Sequence, residues 1–487
     1  MVLEPNLVFC AKTSEPSYGV FSDFRAPELP VWANKTLALA TVRALLTHTG
    51  LDRSNLGSPR WNPLAAIIRK GSQVLIKPNW VYHQNLSGHG LECLVTHTSV
   101  IEAILHYVAK AQPQRIIVGD APVQGCDFSA LMAACRVHEM VAQFTGHGVN
   151  VSVRDFRRTI LSDAKLGGHA SNGCRPLDEF ILYDVGIDSA LEPITAPETE
   201  FRVTMYNPDL LQATHSRGKH QYLVARDAIE ADVVINMPKL KTHKKACITG
   251  ALKNFVGING HKEYLPHHRK GGSAAGGDCY PGASNVKNVV EHLLDATNRA
   301  EAGGKRRMLA NTARIGMAVG KVLGEGNDYE GSWFGNDTIW RTSLDLQRVL
   351  HYGCPDGTLS NAMQRTVLTL TDAIIAGEGE GPLSPTPVEL GLLTLGVNTS
   401  ALEWIHALLM GLNPQHIPIV REAFVAHRYP LATFSPEAIV VRVDGQLVPN
   451  TEIFAEHGRA FCLPTGWREY ASLPTRKGLA PESEAAR

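Results

Sequence analysis

The sequence has few of the features that mark metal-cluster, secreted or membrane proteins. Its nine cysteines are scattered and include no C-x-x-C pair, a pattern that predicts neither a disulfide framework nor an iron–sulfur cluster. No run of about 18 apolar residues occurs, so no membrane span is expected. Residues 1–19 also lack the continuous apolar core of a targeting segment. We therefore expect a cytoplasmic protein without a membrane partner.

The chain also lacks an excess of charge and the common nucleotide-binding motifs. Lysine plus arginine and aspartate plus glutamate number 47 each, whereas a nucleic-acid binder typically carries a net basic charge. Neither G-x-x-x-x-G-K-S/T nor G-x-G-x-x-G is present, so neither a standard ATP loop nor an NAD(P) site is expected. We predict no nucleic-acid partner, and any anion site must be local.

The apolar pattern indicates an α/β fold. Short apolar segments at residues 73–76 and 115–118 flank a helical pattern at residues 99–111, which is the order of a βαβ unit. We predict a mostly parallel open sheet with helices on both faces, a β-rich insertion and long loops. Five segments are expected: an N-terminal helical or irregular segment (1–70), a first α/β part (71–153), an irregular or β-rich insertion (154–227), a second α/β part (228–430), and a C-terminal hairpin and tail (431–487).

The densest group of chemically reactive side chains lies in residues 232–260. A short apolar strand at residues 233–235 is followed by lysine, threonine, histidine and asparagine. If the strand continues, alternate residues project on one face, and a helix beginning near Ala246 would direct later side chains to the same place. An exposed basic loop is the alternative, but the interspersed apolar residues favour a half-buried segment whose lysines need partners. The predicted anion-contacting side chains here are Lys239, Lys241, His243, Thr249, Lys253 and Asn254.

Polar side chains also follow two other predicted strands. Lys77 and Asn79 follow the first, and Asp120 ends the second. Ligands of open parallel sheets bind beyond the carboxyl ends of the strands, so we expect one shared crevice. His97 and Thr98 begin the intervening helix, where free backbone N–H groups favour an anion, although a single histidine there is more often structural.

A third set of residues is acidic. Asp372 ends a predicted strand, and Glu378 and Glu380 lie in a glycine-rich segment, residues 377–382, that predicts a turn. Two carboxylates would repel a phosphate, but they can hold a divalent cation or act as a general base. We predict a metal site at these three residues, with exposed acidic side chains as the alternative. The loop at residues 261–281 is rich in histidine and glycine and predicts a cover over the substrate. Metal binding by its three histidines near Asp278 is the alternative, although their spacing matches no zinc pattern.

Together these motifs resemble the domain of unknown function 362 family over about residues 70–425. The segments that carry the resemblance are Lys77-Pro-Asn79, Val118-Gly-Asp120, Pro238 to His243, Thr249 to Asn254, and Asp372 with the Glu378 to Pro382 segment. Three further segments resemble a longer form of that family: Leu265 to Arg269, Gly276 to Pro281, and Gly335 to Arg341. The resemblance implies no defined activity. Many relatives carry ferredoxin-like cysteine clusters that this chain lacks, which argues against an electron-transfer role.

The residues favour an enzyme that acts on a small carboxylate- or phosphate-bearing molecule, with or without a divalent metal ion. His243, Lys241 and Asp120 are the predicted catalytic groups, in acid–base or metal-assisted group transfer, lyase or isomerase chemistry. A histidine among lysines should have a lowered pKa and remain neutral near pH 7. The alternatives are a non-catalytic protein that binds an anionic metabolite, and a redox partner protein as in the cluster-bearing relatives.

Overall fold

A computed structural model describes residues 3–21, 23–161, 170–171, 175–326 and 328–473. The strands are β1 (Leu7–Lys12), β2 (Gln73–Pro78), β3 (Arg115–Asp120), β4 (Val151–Asp155), β5 (Ile160–Leu161), β6 (Ala170–Ser171), β7 (Phe180–Asp184), β8 (Phe201–Arg202), β9 (His215–Ser216), β10 (Lys219–Ala225), β11 (Val233–Met237), β12 (Lys239–His243), β13 (Cys247–Thr249), β14 (His268–Arg269), β15 (Thr366–Glu380), β16 (Ser384–Gly396), β17 (Val440–Val443) and β18 (Gln446–Val448). The α-helices are α1 (Leu37–His48), α2 (Thr98–Lys110), α3 (Phe128–Ala134), α4 (Val137–Gly146), α5 (Pro208–Thr214), α6 (Arg226–Glu230), α7 (Asn285–Arg299), α8 (Gly304–Val322), α9 (Ile339–Tyr352), α10 (Thr399–Leu409), α11 (Pro418–Arg421) and α12 (Ile453–His457).

One large mixed sheet organises the chain. Its strand order is β18-β17-β1-β16-β15-β11-β2-β3-β4, and the hairpin β12–β13 pairs with β15. The strands from β15 to β4 are parallel to their neighbours, whereas β16 is antiparallel to both β15 and β1. The predicted α/β class with a mostly parallel sheet is therefore confirmed. Both predicted α/β parts contribute neighbouring strands to the same sheet.

The insertion forms small sheets of its own, and the two ends of the described chain complete one side of the large sheet. The insertion forms a three-stranded sheet, β7-β10-β9, and β8 pairs with β14. Strand β1 lies between β16 and β17, and the hairpin β17–β18 forms one edge. The sequence predicts only a helical or irregular segment for residues 1–70, so β1 corrects that prediction. A six-residue strand without clear alternation gives a weak signal.

Side-chain alternation in β2 separates the core from the site. Val74 and Ile76 pack in a cluster with residues of α1 and α2. Leu75 packs on the other face, in a cluster with residues of the insertion and α9. Because side chains alternate along a strand, Lys77 continues the Leu75 face at the carboxyl end of β2. Each fully buried aliphatic side chain of this kind contributes roughly 1.5–3 kcal/mol.

Residues 244–258 differ most from the sequence prediction. The predicted helix from near Ala246 is wrong, because the chain forms the hairpin β12–β13 and then a 3-10 helix over Lys253–Ile258. The imidazole Nδ1 of His243 accepts hydrogen bonds from the backbone N–H of Lys245 at 3.0 Å and of Ala246 at 3.3 Å. Cys247 has a φ of 66°, so the chain reverses direction here. A side chain that binds nearby backbone groups competes with helix formation.

The glycine-rich segment at residues 377–382 also differs from its prediction. Residues 377–380 are the end of β15 paired with β16, with Glu378 opposite Thr386 and Glu380 opposite Ser384, and the turn is confined to residues 381–383. A Cβ atom at Gly381 would lie 2.0 Å from the Thr242 carbonyl oxygen. Position 381 therefore requires glycine because the backbone of β12 approaches it closely. Composition alone cannot distinguish this requirement from the need for glycine in a turn. No helix in the described ranges is long and apolar enough to cross a membrane.

Candidate functional site

A cavity of about 520 Å³ lies at the carboxyl ends of β2 and β3, beside the hairpin β12–β13. One part of its lining is apolar and includes Val81, Val203, Met205 and Val256. The rest is polar and contains nine of the residues predicted from the sequence: Lys77, Asn79, Asp120, Lys241, His243, Thr249, Lys253, Asn254 and Glu380. The structure thus brings the polar strand ends together in one crevice.

A buried ion pair joins the ends of β2 and β3. Lys77 Nζ lies 2.7 Å from Asp120 Oδ1 and donates to Asn254 Oδ1 at 3.0 Å. Asp120 also accepts the backbone N–H of Trp80 at 2.6 Å and of Ala121 at 2.8 Å. Both carboxylate oxygens are therefore occupied, and in this arrangement Asp120 positions Lys77 at the edge of the cavity.

His243 is held in one tautomer by the turn that follows β12. Its side chain is buried, and the pKa is well below the usual value, first because of burial and then because of nearby lysines, with Lys253 the strongest. Since Nδ1 accepts two backbone N–H groups, the proton of the neutral ring is on Nε2. His243 can therefore donate a hydrogen bond from Nε2, whereas protonation of Nδ1 would disrupt the turn.

Three lysines of the cavity have no carboxylate partner among the described residues. Within those residues, the side-chain nitrogens of Lys253 and Lys262 make neither an ion pair nor a hydrogen bond, and Lys241 donates only to the Leu94 carbonyl. Burial, followed by repulsion from neighbouring lysines, lowers the pKa of Lys253 to about 7. Burial likewise lowers the pKa of Lys262 to about 8 and that of Lys241 well below its usual value.

Basic side chains outnumber acidic ones in the lining. The cavity is lined by six lysines and three carboxylates: Lys77, Lys241, Lys244, Lys245, Lys253 and Lys262 against Asp120, Glu330 and Glu380. Glu330 lies 3.4 Å from Lys244 and 3.3 Å from Lys245. In addition, the buried Thr249 Oγ1 and Asn79 Oδ1 have no hydrogen-bond partner. Cationic and hydrogen-bonding groups are thus left over after all internal pairs are formed.

The remaining predicted ligand-binding residues form a second, separate cluster. Lys239 Nζ lies 2.6 Å from Asp372 Oδ2 with both side chains fully buried. Asp372 also accepts the Tyr18 hydroxyl at 2.8 Å and the His97 backbone N–H at 2.9 Å. The His97 ring stacks on Tyr18 at 3.8 Å, and Thr98 donates to a backbone carbonyl at 2.6 Å. None of these five residues lines the cavity.

The three carboxylates predicted to hold a metal are not assembled into one site. Asp372 is paired with a lysine, as described above. Glu378 accepts the backbone N–H of Cys462 at 2.7 Å. Glu380 accepts both the backbone N–H and the hydroxyl of Thr465 at 2.8 Å. Glu378 and Glu380 therefore attach the C-terminal part of the described chain to β15.

Several cavity residues were not among the predicted site residues. Lys262 and His267 lie in the loop predicted to cover the substrate, and Lys245 and Glu330 form the ion pair described above. The composition of the loop indicated a function, but no spacing rule shows which of its basic side chains reaches the cavity. That choice depends on how residues 262–264 pack against α5 and β10, which are distant in sequence.

Comparison with known proteins places these features in context. The model of the family described as domain of unknown function (DUF362) matches residues 74–187 and 171–407. Thylakoid-associated protein sll1697 from Synechocystis sp. (strain ATCC 27184 / PCC 6803 / Kazusa) is 24% identical over 382 residues, which cover 78% of this chain and 72% of that protein. A crystal structure of a Thermotoga maritima protein is similar over 67% of this chain, with 11% identity and a TM-score of 0.22. The chain spans about half of that protein, 51%.

Proposed function

Since the chain belongs to the domain of unknown function 362 family, whose description names no activity, we propose a function from its cavity. The protein is an enzyme that acts on a small molecule bearing a carboxylate or phosphate group. The observation that carries this proposal is the set of cavity lysines without carboxylate partners, Lys241, Lys253 and Lys262. Buried cationic groups are normally paired, so a site with unpaired ones is suited to an anion that arrives from solution.

The two kinds of lining suggest the shape of the ligand. Its anionic group would lie against the lysines and accept hydrogen bonds from the Nε2–H of His243 and from Thr249. The apolar wall, which includes Val203 and Met205, would contact a less polar part of the molecule. A divalent metal ion is repelled by this lining and would enter only as a complex with the substrate.

Acid–base chemistry suits the protonation states of the cavity. Lys253, with a pKa of about 7, is able to accept and return a proton near neutral pH. His243 is neutral and presents Nε2–H, so it serves as a hydrogen-bond donor to an oxygen on which negative charge develops. This assignment differs from the role of proton-transferring acid or base predicted for His243 from the sequence. Isomerase or lyase chemistry, in which a proton is removed beside a carboxylate, would use these groups.

A non-catalytic anion-binding protein is the alternative, and it would use the same lysines. A binding protein needs neither a lysine that changes protonation state near pH 7, such as Lys253, nor a histidine whose tautomer is fixed by the backbone, such as His243. Thylakoid association is a property of the named relative, and the cytoplasmic location of this chain stays a prediction.

The test separates binding from turnover. A panel of phosphates, dicarboxylates and 2-oxo acids is screened by thermal shift on the wild type and on Lys253→Met, with the exposed Lys321→Met as matched control. Each ligand found is then incubated with protein in D₂O, and exchange of its C–H protons is followed by NMR. We expect ligands that stabilise the wild type and Lys321→Met but not Lys253→Met, and at least one that exchanges.

His243 offers a variant that preserves the turn. In His243→Asn the amide oxygen can replace Nδ1 as acceptor for the two backbone N–H groups, while the Nε2 donor is lost. We expect this variant to bind the ligand but to lose exchange by roughly 10²- to 10³-fold, as for removal of one oxyanion donor. Tight binding without exchange in the wild type would favour the binding protein. If the ligands raise the melting temperatures of the wild type and of Lys253→Met equally, the proposed anion-binding site is wrong.

A further inference from the structure

Three metal-ligand side chains converge outside the cavity, and two of them belong to the loop at residues 261–281. His268 lies in β14, Cys279 in the following loop and Glu291 in α7. One ligand atom of each lies within 4.8 Å of those of the other two. Their exposed fractions are 2%, 0% and 5%. Such a combination is rare in a protein core unless its polar atoms have partners.

The partners inside the protein are incomplete. The imidazole Nδ1 of His268 and the hydroxyl of Tyr329 are buried without a hydrogen-bond partner. Glu291 accepts the Gly271 backbone N–H at 3.0 Å, the Cys279 thiol and the Tyr280 hydroxyl. Among the described residues no lysine, arginine or histidine forms an ion pair with Glu291, so its buried carboxylate lacks a cation.

Two basic side chains beside the cluster, Arg202 and Lys270, are paired with another carboxylate. Arg202 Nε lies 2.8 Å from Asp295, and Lys270 Nζ lies 3.0 Å from the same residue. A cavity of about 20 Å³ adjoins His268, Glu291 and Tyr329. A space of roughly 10–15 Å³ is sufficient for one water, so this cavity has room for one water molecule beside His268 and Glu291.

We propose that His268, Cys279 and Glu291 bind one Zn²⁺ ion. Sulfur, imidazole and carboxylate ligands together select zinc rather than magnesium or calcium, which prefer oxygen ligands alone. Binding displaces the thiol proton of Cys279 to solvent, and the thiolate and the Glu291 carboxylate then balance the two charges of the ion. A water molecule in the adjoining space completes four-coordination.

The position of the ion suggests its role. Its ligands come from β14, the loop after it and α7, so zinc would join three segments that are otherwise linked by a long irregular loop. His267, next to the His268 ligand, lines the anion cavity. Zinc would thus fix the cover of the cavity, without taking part in the chemistry proposed there.

The experiment measures metal content and ligation in the full chain. Protein expressed with added zinc is dialysed and analysed for metal as wild type, Cys279→Ser, His268→Gln and Cys354→Ser. The last variant removes a partly buried cysteine that contacts Tyr183 and Thr358 and is not one of the three ligands, and it serves as matched control. We expect about one zinc per chain in the wild type and in Cys354→Ser, loss of zinc from the other two variants, and lower melting temperatures for both.

Cobalt provides a readout that does not depend on the folding of the variants. Co²⁺ added to the metal-free wild type should produce a thiolate-to-cobalt charge-transfer band. Metal-free Cys354→Ser should show the same band, and added Zn²⁺ should abolish it by displacing the cobalt. A wild type without zinc and without that band would overturn the proposal and leave a hydrogen-bonded thiol and carboxylate. Zinc retained by both Cys279→Ser and His268→Gln would overturn it as well. Neither result affects the anion-binding test.

Discussion

Anion binding by this cavity should be coupled to proton uptake. The pKa of Lys253 is about 7 and that of Lys262 about 8, because burial and neighbouring lysines disfavour their charged forms. A bound anion favours the charged forms and raises both pKa values toward the ordinary value of 10.5. If anion binding raises the pKa of a lysine, linkage requires that the affinity for the anion falls as the pH rises through the pKa that this lysine has in the free protein.

The size of the effect follows from the two pKa values. Above pH 7 the affinity should fall by about tenfold per pH unit for Lys253 alone, which is about 1.4 kcal/mol for each step. Above pH 8 the loss of the proton from Lys262 would add a similar decrease in affinity per pH unit. Between pH 6 and pH 9 the full effect of both lysines approaches roughly a thousandfold in dissociation constant, and Lys253 alone accounts for about a hundredfold.

Sulfate is a suitable probe because its charge is constant over this range. Titration calorimetry at pH 6, 7, 8 and 9, repeated in two buffers of different ionisation enthalpy, gives both the affinity and the number of protons taken up. Lys253→Met should lose most of the pH dependence between pH 7 and pH 8, whereas Lys321→Met should behave as the wild type. Sulfate affinity that is independent of pH, or binding without proton uptake at pH 8, would refute the reasoning.

Three further predictions concern stability. Asp372→Asn leaves Lys239 buried without its charged partner, so chemical denaturation should show a loss of about 3–5 kcal/mol; a loss below about 1 kcal/mol would contradict a tight pair. Gly257→Ala places a Cβ atom 1.9 Å from Asp120 Oδ1 and should cost roughly 1–3 kcal/mol, seen as a lower melting temperature. Lys253 has a lowered pKa in the folded state, so the unfolded chain binds more protons between about pH 7 and 10.5, and stability rises with pH across that window. Lys253→Met should therefore stabilise the ligand-free protein at pH 7 and make its free energy of unfolding less dependent on pH between pH 7 and pH 10. An unchanged pH dependence would contradict the lowered pKa of Lys253.

The shared crevice could be predicted because it depends on local patterns. An apolar segment that ends in Lys77 and another that ends in Asp120 are recognisable as strands, and the helix between them requires that they be parallel. Parallel neighbours have their carboxyl ends at the same edge of a sheet. The ion pair between these side chains, 2.7 Å long, follows from that arrangement.

The division of the lysines between two clusters could not be predicted in this way. Lys239 and Lys241 are two residues apart in β12, which predicts that they share a face. The pairing of β12 with β15 shifts register between these two residues, and Lys239 binds Asp372 whereas Lys241 lines the cavity. The partner Tyr18 comes from the N-terminal part of the chain, more than 200 residues away. Such contacts are visible only after the whole sheet is assembled.

The contrast between paired and unpaired lysines is itself an argument for a ligand. Lowering the pKa of Lys253 from 10.5 to about 7 corresponds to roughly 5 kcal/mol against its charged form. That is a large fraction of the stability of a typical domain, about 5–15 kcal/mol. Lys77 and Lys239 show that this fold can supply a buried lysine with a carboxylate. Local departures from such pairing are expected at functional sites, so the unpaired Lys253 and Lys262 are best explained by an anion that completes the pairing when it binds.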